Sequence, residues 1–552
     1  MANQTSNSTI FDEIESIRKK GVKYHGEGNY EDALFYFQKA VTQIKSIAES
    51  SDSRRQLEYS IYLAMAQSYL QKYQLIEANE YSGKAEKLAE KLEEVKISYC
   101  FDIQGDCKRL QSDFMGALSD YNKSLQIKLK SLGSEHLDVS ESYQNVGLVY
   151  HNQGKHDEAL KEYNKALRIK LKILKNNHPS IADTYNNIAN VYNRQGKYDD
   201  ALSMYNKSLK INLTQLGDNH PSIADTYNNI ANVYANQGKY DDALSMYNKS
   251  LKINLTQLGD NHPSIADTYN NIGRVYNHQG KYDDALSMYN KSLKINLTQL
   301  GDNHPSIATT YNNIASVYAN QGNVYHRQGK YDDALSMYNK SLKINLTQLG
   351  DNHPSIAITY SNIGRVYSDQ SKHKEAISMY KQSLKIQLSV LGRNHPDVAK
   401  SYSGLGNVYL AEGKYEEAIS MYEQSYNILL SVLGHNHPDV TKSYNNLRNV
   451  YQAEGKREEA ISTNEKSLKE KQEEQEKQEK QEEKQEEQEK QEEQEELEEQ
   501  KEQEKREKHE KQEEQGEKRH QEELEEKEKQ KEQEKQEKQE KHEKQEEEDE
   551  LA

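Results

Sequence analysis

Apolar residues along much of the chain recur at helical spacing, in pairs of stripes separated by polar turns. One such pair consists of Ile223, Tyr227, Ile230 and Tyr234, followed by Leu244, Tyr247, Leu251 and Leu255. Intervals of three and four residues place each stripe on one face of an α-helix. Pro221 is suited to the first position of the first helix, and Gly238 to the position just past its end. Asp241 and Asp242 open the second helix with negative charge at its positive end, and Gly259 closes it. The pattern predicts two antiparallel amphipathic helices.

The helix pair is one copy of a repeat whose start is marked by a His-Pro dipeptide. His178, His220, His262 and His304 lie 42 residues apart, and His353, His395 and His437 continue the series after one step of 49. His136 belongs to the same series, with Leu137 in place of proline. A fixed period of this size indicates a repeat architecture. One helix pair cannot bury its own apolar face, whereas a stack of pairs can.

The single irregular step contains a seven-residue duplication. SVYANQG (316–322) is followed directly by NVYHRQG (323–329). Seven residues turn a helix through about 700°, which is about 20° short of two full turns, so the apolar face survives the insertion. The duplication either lengthens the helix, with Gly322 inside it at a cost of about 1 kcal/mol, or loops out. The sequence leaves both outcomes open.

Small and aromatic residues occupy fixed positions in each unit, which in the unit starting at His220 are Tyr227, Ala231, Tyr234, Gly238, Ala243, Tyr247 and Ser250. This signature resembles the tetratricopeptide repeat. The same frame fits residues 21–40, and about eleven copies span residues 10–467. The resemblance implies an all-α fold, a right-handed α-solenoid of tandem helix pairs. The 42-residue length and the linker LGDNHPSIA are similar to the kinesin light chain subtype, whose groove binds cargo peptides.

These assignments divide the chain into four parts: a flexible N-terminus at 1–9, three divergent repeats at 10–135, eight 42-residue repeats at 136–467, and a Glu/Lys/Gln-rich low-complexity tail at 468–552. In the last repeat, Arg448 replaces the small residue and Asn464 replaces the aromatic one. A unit that cannot receive a further neighbour is expected to act as a cap.

Charge changes at the boundary of the tail. Of the 73 Lys/Arg and 90 Asp/Glu residues, the segment 468–552 holds 20 and 38, a net charge of −18, which leaves the repeats near neutral at +1. Neither part has the basic stripe expected of a nucleic acid-binding protein. Apolar residues are too rare in the tail for an ordinary coiled-coil seam. A solvated single helix and a disordered chain both remain open for it.

Other function classes find little support in the sequence. There are two cysteines and no signal peptide or apolar run of about 20 residues, so we expect a cytoplasmic protein without a membrane span. Successive His-Pro histidines are separated by a whole repeat, about 8–10 Å or more, which is too far for ligands that must each reach a metal at about 2 Å. Helix capping is the better interpretation of the ladder. Cys107 lies in no recognisable catalytic motif, and we expect no enzyme, metal or cofactor.

The inner face of the solenoid is the expected binding surface. In tetratricopeptide arrays the first helix of each pair faces the groove, and the positions corresponding to that face here are Asn186, Asn190, Arg194, Asn228, Asn232, Asn270, Arg274, Asn277, His278, Asn312 and Arg365. An asparagine amide has a donor and an acceptor, so a ladder of them can pair with the backbone of an extended peptide. The arginines can add charge-assisted bonds to carboxylates or phosphates. The competing interpretation is a solvated polar face copied within recent duplications.

The predicted function is therefore a cytosolic protein-interaction scaffold that binds short extended segments, including acidic ones, of protein partners. Two alternatives remain. A co-chaperone would clamp a terminal carboxylate with Lys and Asn, but the first repeat offers Arg18 and then Val22, so half of that clamp is missing. A purely structural spacer would bind no peptide. As a further hypothesis, the acidic tail folds back onto the groove cations.

Overall fold

The computed structural model describes residues 2–45, 47, 51–435 and 437–456, together with 529, 531 and 535. These residues form α-helices and turns, without a strand. The repeats fall within one compact unit, residues 1–465. The helices are α1 (Ala2–Gly26), α2 (Tyr30–Lys45), α3 (Asp52–Gln71), α4 (Leu75–Ala89), α5 (Glu94–Leu110), α6 (Phe114–Leu132), α7 (Leu137–Asn152), α8 (His156–Ile173), α9 (Pro179–Arg194), α10 (Tyr198–Leu216), α11 (Pro221–Asn236), α12 (Tyr240–Leu258), α13 (Pro263–His278), α14 (Tyr282–Leu300), α15 (Pro305–Tyr325), α16 (Gln328–Leu349), α17 (Pro354–Asp369), α18 (His373–Val390), α19 (Pro396–Ala411), α20 (Tyr415–Leu433) and α21 (Pro438–Glu454).

Each odd-numbered helix from α1 to α19 packs most closely on the even-numbered helix that follows it, and α21 packs on α20. We number these pairs as repeats, from repeat 1 (α1 and α2) to repeat 10 (α19 and α20), and α21 begins repeat 11. The predicted fold class, a solenoid of tandem helix pairs, is confirmed. The second helix expected for repeat 11, with Asn464, and almost all of the tail lie outside the described residues.

The histidine of each His-Pro pair caps the helix that follows. In α11, Nδ1 of His220 accepts a hydrogen bond from the backbone N–H of Ser222 at 3.2 Å, and Pro221 is the first helical residue. The cap satisfies one of the N–H groups that a helix start leaves without an intrahelical partner. Gly238 follows the helix with a φ of +74°, in the left-handed region that glycine adopts without strain. The helix boundaries predicted from these residues are confirmed.

Tyrosines from the second helices fill the core. The fully buried ones are Tyr121, Tyr163, Tyr205, Tyr247, Tyr289, Tyr338 and Tyr422. Each ring needs a small residue opposite it on the first helix: a Cβ built on Gly273 would lie 2.8 Å from Cε1 of Tyr289. The hydroxyl of Tyr205 donates to Oδ1 of Asn190 at 2.6 Å, so its burial leaves no unpaired O–H.

The N-terminus and the seven-residue duplication are two irregular segments of the array. Residues 2–9, expected to be flexible, lie in α1. The seven-residue duplication lengthens both helices of repeat 8, because α15 has 21 residues where α13 has 16, and α16 has 22 where α14 has 19. Gly322 lies inside α15, where the ring of Tyr331 packs against its Cα. The turn falls at His326, which adopts a φ of +49°.

The array returns on itself after six repeats. The end of α3 in repeat 2 meets the start of α15 in repeat 8, where Nε2 of His304 lies 3.4 Å from the carbonyl oxygen of Gln71. Nε2 of His353 in repeat 9 lies 3.1 Å from the carbonyl oxygen of Leu110 in repeat 3. Repeats 1–6 thus form a first superhelical turn, and repeats 7–11 form a second turn in contact with it.

Candidate peptide-binding groove

First helices of consecutive repeats lie side by side, and their polar positions form a continuous surface. Between the two superhelical turns this surface borders a cavity of about 820 Å³. Residues from both turns line it, among them Arg109, Arg194 and Asn236 from the first and Thr309 and Lys400 from the second. We call the polar surface of the first helices of repeats 5–9 the groove.

Asparagines of the groove are bonded to one another across repeat boundaries. The bonds run from Nδ2 to Oδ1 between Asn236 and Asn193 (3.0 Å), Asn271 and Asn228 (3.3 Å), Asn320 and Asn277 (3.1 Å), and Asn362 and Asn312 (3.3 Å). Three predicted site residues, Asn228, Asn277 and Asn312, are therefore acceptors within a ladder of side-chain amides. The ladder ties neighbouring first helices together and fixes the orientation of these amides.

A second row of asparagines is bonded to the core. The carbonyl oxygens of Asn190 and Asn232 accept from the hydroxyls of Tyr205 and Tyr247, each at 2.6 Å. Asn232 also accepts from Nη2 of Arg274 at 2.7 Å. The Nδ2 groups of both asparagines have no partner among the described residues and are available as donors to a bound segment.

Two further predicted residues leave acceptors unsatisfied. Oδ1 of Asn186 and Oδ1 of Asn270 are buried and have no hydrogen-bond partner in the described part of the chain, although Nδ2 of Asn270 donates to Oγ1 of Thr310 at 3.1 Å. An unpaired buried acceptor costs free energy. The groove therefore presents the unpaired Nδ2 donors of Asn190 and Asn232, whereas these two acceptors lie beneath its surface.

The predicted cations are spread over alternate repeats. Arg194 and Arg274 are exposed, Arg365 is half-buried, and none of them lies within 4 Å of a carboxylate among the described residues. Nε of Arg365 is buried without a described partner. His278 is exposed and stacks on the ring of Tyr240, with centroids 6.2 Å apart and planes 5° apart. Although part of the ring is accessible, desolvation by the surrounding protein, and then the charge of Arg274, lower the pKa of His278.

An acidic row on the same helices escaped the sequence analysis. Asp183, Asp225 and Asp267 occupy the same position in repeats 5–7 and are solvent-exposed, yet they lie on a concave surface with much protein around them. Desolvation, followed by the charge of the preceding aspartate, raises the pKa of Asp225, and raises that of Asp267 to about 6. No described Lys or Arg forms an ion pair with them. The sequence shows this row as the motif PSIAD, which ends in the aspartate and recurs in three consecutive units.

The first repeat does not form a carboxylate clamp. Arg18 donates to both carboxylate oxygens of Glu15 at 2.7 Å, so its guanidinium is already paired. Val22, at the position where a clamp has asparagine, is exposed and apolar.

Comparison with known proteins identifies the family. The tetratricopeptide repeat model matches residues 102–172, 180–256, 222–298, 264–323, 314–389, 383–431 and 397–469. Together these segments cover more than half of the 552 residues. The chain belongs to the tetratricopeptide repeat family. The family predicted from the residue pattern is confirmed.

Solved structures to which this chain is similar include BtubC (BKLC) from P. vanneervenii, with 20% identity, a TM-score of 0.34, and 44% of this chain and 92% of that chain covered. Repeats of a putative kinesin light chain from P. anserina have 24% identity and a TM-score of 0.31, with coverages of 38% and 97%. A Rap protein complexed with competence and sporulation factor has 15% identity and a TM-score of 0.46, with coverages of 69% and 99%. No curated protein matches the chain. Among the described helices, none is long and apolar enough to cross a membrane.

Proposed function

We propose that this tetratricopeptide array is a cytoplasmic interaction scaffold that binds an extended segment of a protein partner along the groove. The observation that carries the proposal is the unpaired Nδ2 of Asn190 and Asn232, which occupy the same position on the first helices of two neighbouring repeats. Donors at successive repeats fit the C=O groups of an extended backbone.

The charges of the groove define the side chains of such a segment. The aspartates of repeats 5–7 favour lysine or arginine, because they are close together and have no described cation partner. Arg274 and Arg365 favour carboxylates or phosphates. We therefore propose a segment of mixed charge, basic where it crosses repeats 5–7 and acidic where it approaches the two arginines.

A binding role fits the chain better than a catalytic one. Both thiols are buried, and desolvation raises the pKa of Cys100 and of Cys107 to about 12, which leaves them protonated and unreactive near neutral pH. The co-chaperone alternative has less support, because Arg18 is paired with Glu15.

The test is a pull-down with the full chain, read by mass spectrometry. The groove variant combines Asn232→Ala, Arg274→Ala and Arg365→Ala. A matched control combines Asn248→Ala, Lys294→Ala and Lys343→Ala, which removes one amide and two cations from exposed positions on second helices. Partners that are lost from the groove variant and kept by the control support the proposal. Equal recovery by all three proteins, each folded by circular dichroism, favours the structural spacer.

The fold-back of the acidic tail onto the groove stays a proposal, and the segment 468–552 lies almost entirely outside the described residues. Deleting it should raise the affinity for a captured partner segment at low salt, where charge interactions are least screened. An unchanged affinity would exclude the contact.

A further inference from the structure

The two superhelical turns meet along a line of side chains that we call the seam. On one side are the turns that end the first helices of repeats 1–5, and on the other are the histidines that begin repeats 7–11. The facing pairs are Gly28 with His262, Gln71 with His304, Leu110 with His353, Gly154 with His395, and Gly196 with His437. Every pair joins a repeat to the repeat six positions later.

Two seam histidines, His304 and His353, can use both ring nitrogens when they are neutral. Nδ1 of His353 accepts from the backbone N–H of Ser355 at 3.1 Å, so the proton lies on Nε2, which donates to the carbonyl oxygen of Leu110 at 3.1 Å. Leu110 is the last residue of α5, and the last carbonyl groups of a helix have no intrahelical partner. The negative end of α5 thus faces the positive end of α17, which also favours the contact.

Position in the array, and not local sequence, selects the seam histidines. His220 and His304 both lie in the octapeptide GDNHPSIA. His220 is exposed because its repeat belongs to the first turn, whereas His304 is buried, with 6% of its surface accessible. The ring of Tyr73 packs edge-on against His304, with centroids 4.9 Å apart.

The seam is thin compared with the repeats that it joins. Helices whose backbones approach closely belong to the same repeat or to neighbouring ones. The apolar core clusters likewise span adjacent repeats, except that Val390 and Leu391 of repeat 9 pack on the cluster of repeats 3 and 4. The parts of a protein held by the fewest buried apolar contacts open at the lowest free energy. Along this array, that part is the seam.

We propose that the two superhelical turns separate and rejoin along the seam while every repeat stays folded, and that seam opening admits partner segments to the groove. In a solenoid a small change of rotation at each repeat adds up along the array. With the seam closed, the second turn covers the cavity that the groove borders, and with the seam open that side is accessible. The proposal that the seam opens is argued from the contacts described above. The proposal that opening admits partner segments also rests on the proposed function.

The test measures a distance across the seam in the full chain without a ligand. Spin labels are placed at Lys197→Cys in the turn of repeat 5 and at Lys442→Cys in α21, both at exposed positions. The native thiols are buried and do not compete for the label. The seam variant is His304→Ala with His353→Ala. Its matched control is His178→Ala with His220→Ala, which removes two caps of the same kind from helix starts that do not face the other superhelical turn.

We expect one short distance between the labels in the wild type and in the control, and a longer, broader distribution of distances in the seam variant.

A second variant distinguishes opening of the seam from misfolding. Tyr73→Gly removes the ring against His304 from a residue with a φ of +56°, where glycine is unstrained. This variant should open the seam without lowering thermal stability. An unchanged short distance in both seam variants, or equal lengthening in the control, would overturn the proposal. Because no ligand is present, failure of the groove as a binding site leaves this result unaffected.

Discussion

The first and second superhelical turns contain nearly identical repeats in different surroundings. His220 in the first turn and His304 in the second cap their helices with the same bond to a serine N–H, at 3.2 and 3.1 Å. Burial lowers the pKa of His304 to about 4, while His220 is exposed. The caps are alike because local sequence determines them. The burial differs because it depends on what lies six repeats away.

The largest expected effect is the loss of stability when a buried tyrosine is removed, and it tests whether the core is equally stable in both turns. Tyr205→Ala in the first turn and Tyr422→Ala in the second each remove a fully buried ring whose hydroxyl donates to an asparagine at 2.6 Å, and each should lower the local free energy of unfolding by about 3–5 kcal/mol. Native-state hydrogen exchange of the flanking helices measures both. Because core packing is local, the two values should agree. A clear difference between them would mean that the seam contributes to the core.

Acid should act on the seam before it acts on the core. Burial lowers the folded-state pKa of His304 and of His353 to about 4 from an ordinary value near 6.5, so the neutral rings favour the closed seam. This contribution is complete above pH 6.5 and is lost as the pH falls towards 4. Lys72 and Tyr73 face His304, and the carbonyl of Leu110 faces His353; the charge of Lys72 lowers the pKa of His304 further.

A pH series of the spin-label distance checks this prediction. The wild type should open between pH 6.5 and 4 while its circular dichroism signal is retained. In the His304→Ala, His353→Ala variant the distance should depend much less on pH. Opening at the same pH in that variant would assign the transition to other groups, among which His151 and His156 also have a pKa lowered to about 4, chiefly by burial.

A smaller effect is expected when a single histidine cap is removed, and the loss of stability should differ between the two turns. His220→Ala removes a helix cap, which costs about 1 kcal/mol. His353→Ala removes a cap and also the hydrogen bond to Leu110, and should cost about 1 kcal/mol more. Chemical denaturation of the two variants gives the comparison. Equal losses would mean that the bond across the seam contributes nothing to stability.

The smallest effect concerns the turn of the lengthened repeat. His326 has a φ of +49° where the corresponding residue of repeat 7, Gly280, has +74°. His326→Gly should raise the free energy of unfolding by about 1 kcal/mol because it relieves a left-handed side-chain conformation, and Gly280→Ala should lower it by a similar amount. Thermal denaturation measures both changes. Both turns lie away from the seam, so neither variant should alter the spin-label distance.

Local features of the fold could be read from the sequence. His-Pro and Gly gave the helix ends, and intervals of three and four residues gave the buried faces, because caps and amphipathic stripes depend on neighbours within one repeat. The effect of the seven-residue duplication on the helices of repeat 8 could be predicted only in part. A full-length extension would have put the turn at Gly329, whereas the turn falls at His326 and Gly322 is buried against Tyr331.

The residues predicted for the groove do lie on first helices, and their role in binding stays a prediction. The asparagines were expected to pair with a bound peptide, yet the side-chain oxygens of Asn228, Asn277 and Asn312 accept hydrogen bonds from the next repeat. Such bonds depend on how adjacent helices are offset, which a single repeat does not specify. The seam was not predicted at all, because the rotation from one repeat to the next decides whether the sixth neighbour returns to the first.

Closure after six repeats has a consequence for how such an array tolerates changes of length. Gain or loss of one 42-residue unit shifts every facing pair by one position but still sets a histidine opposite the end of a helix, so whole-unit copy-number changes preserve closure. A change that is not a whole unit has no such freedom. The seven extra residues of repeat 8 include the exposed residues Val324 and Tyr325, at an edge where Tyr325 contacts the neighbouring repeat through Tyr282. Irregular length is accommodated there because no described repeat of the other turn has to fit against it.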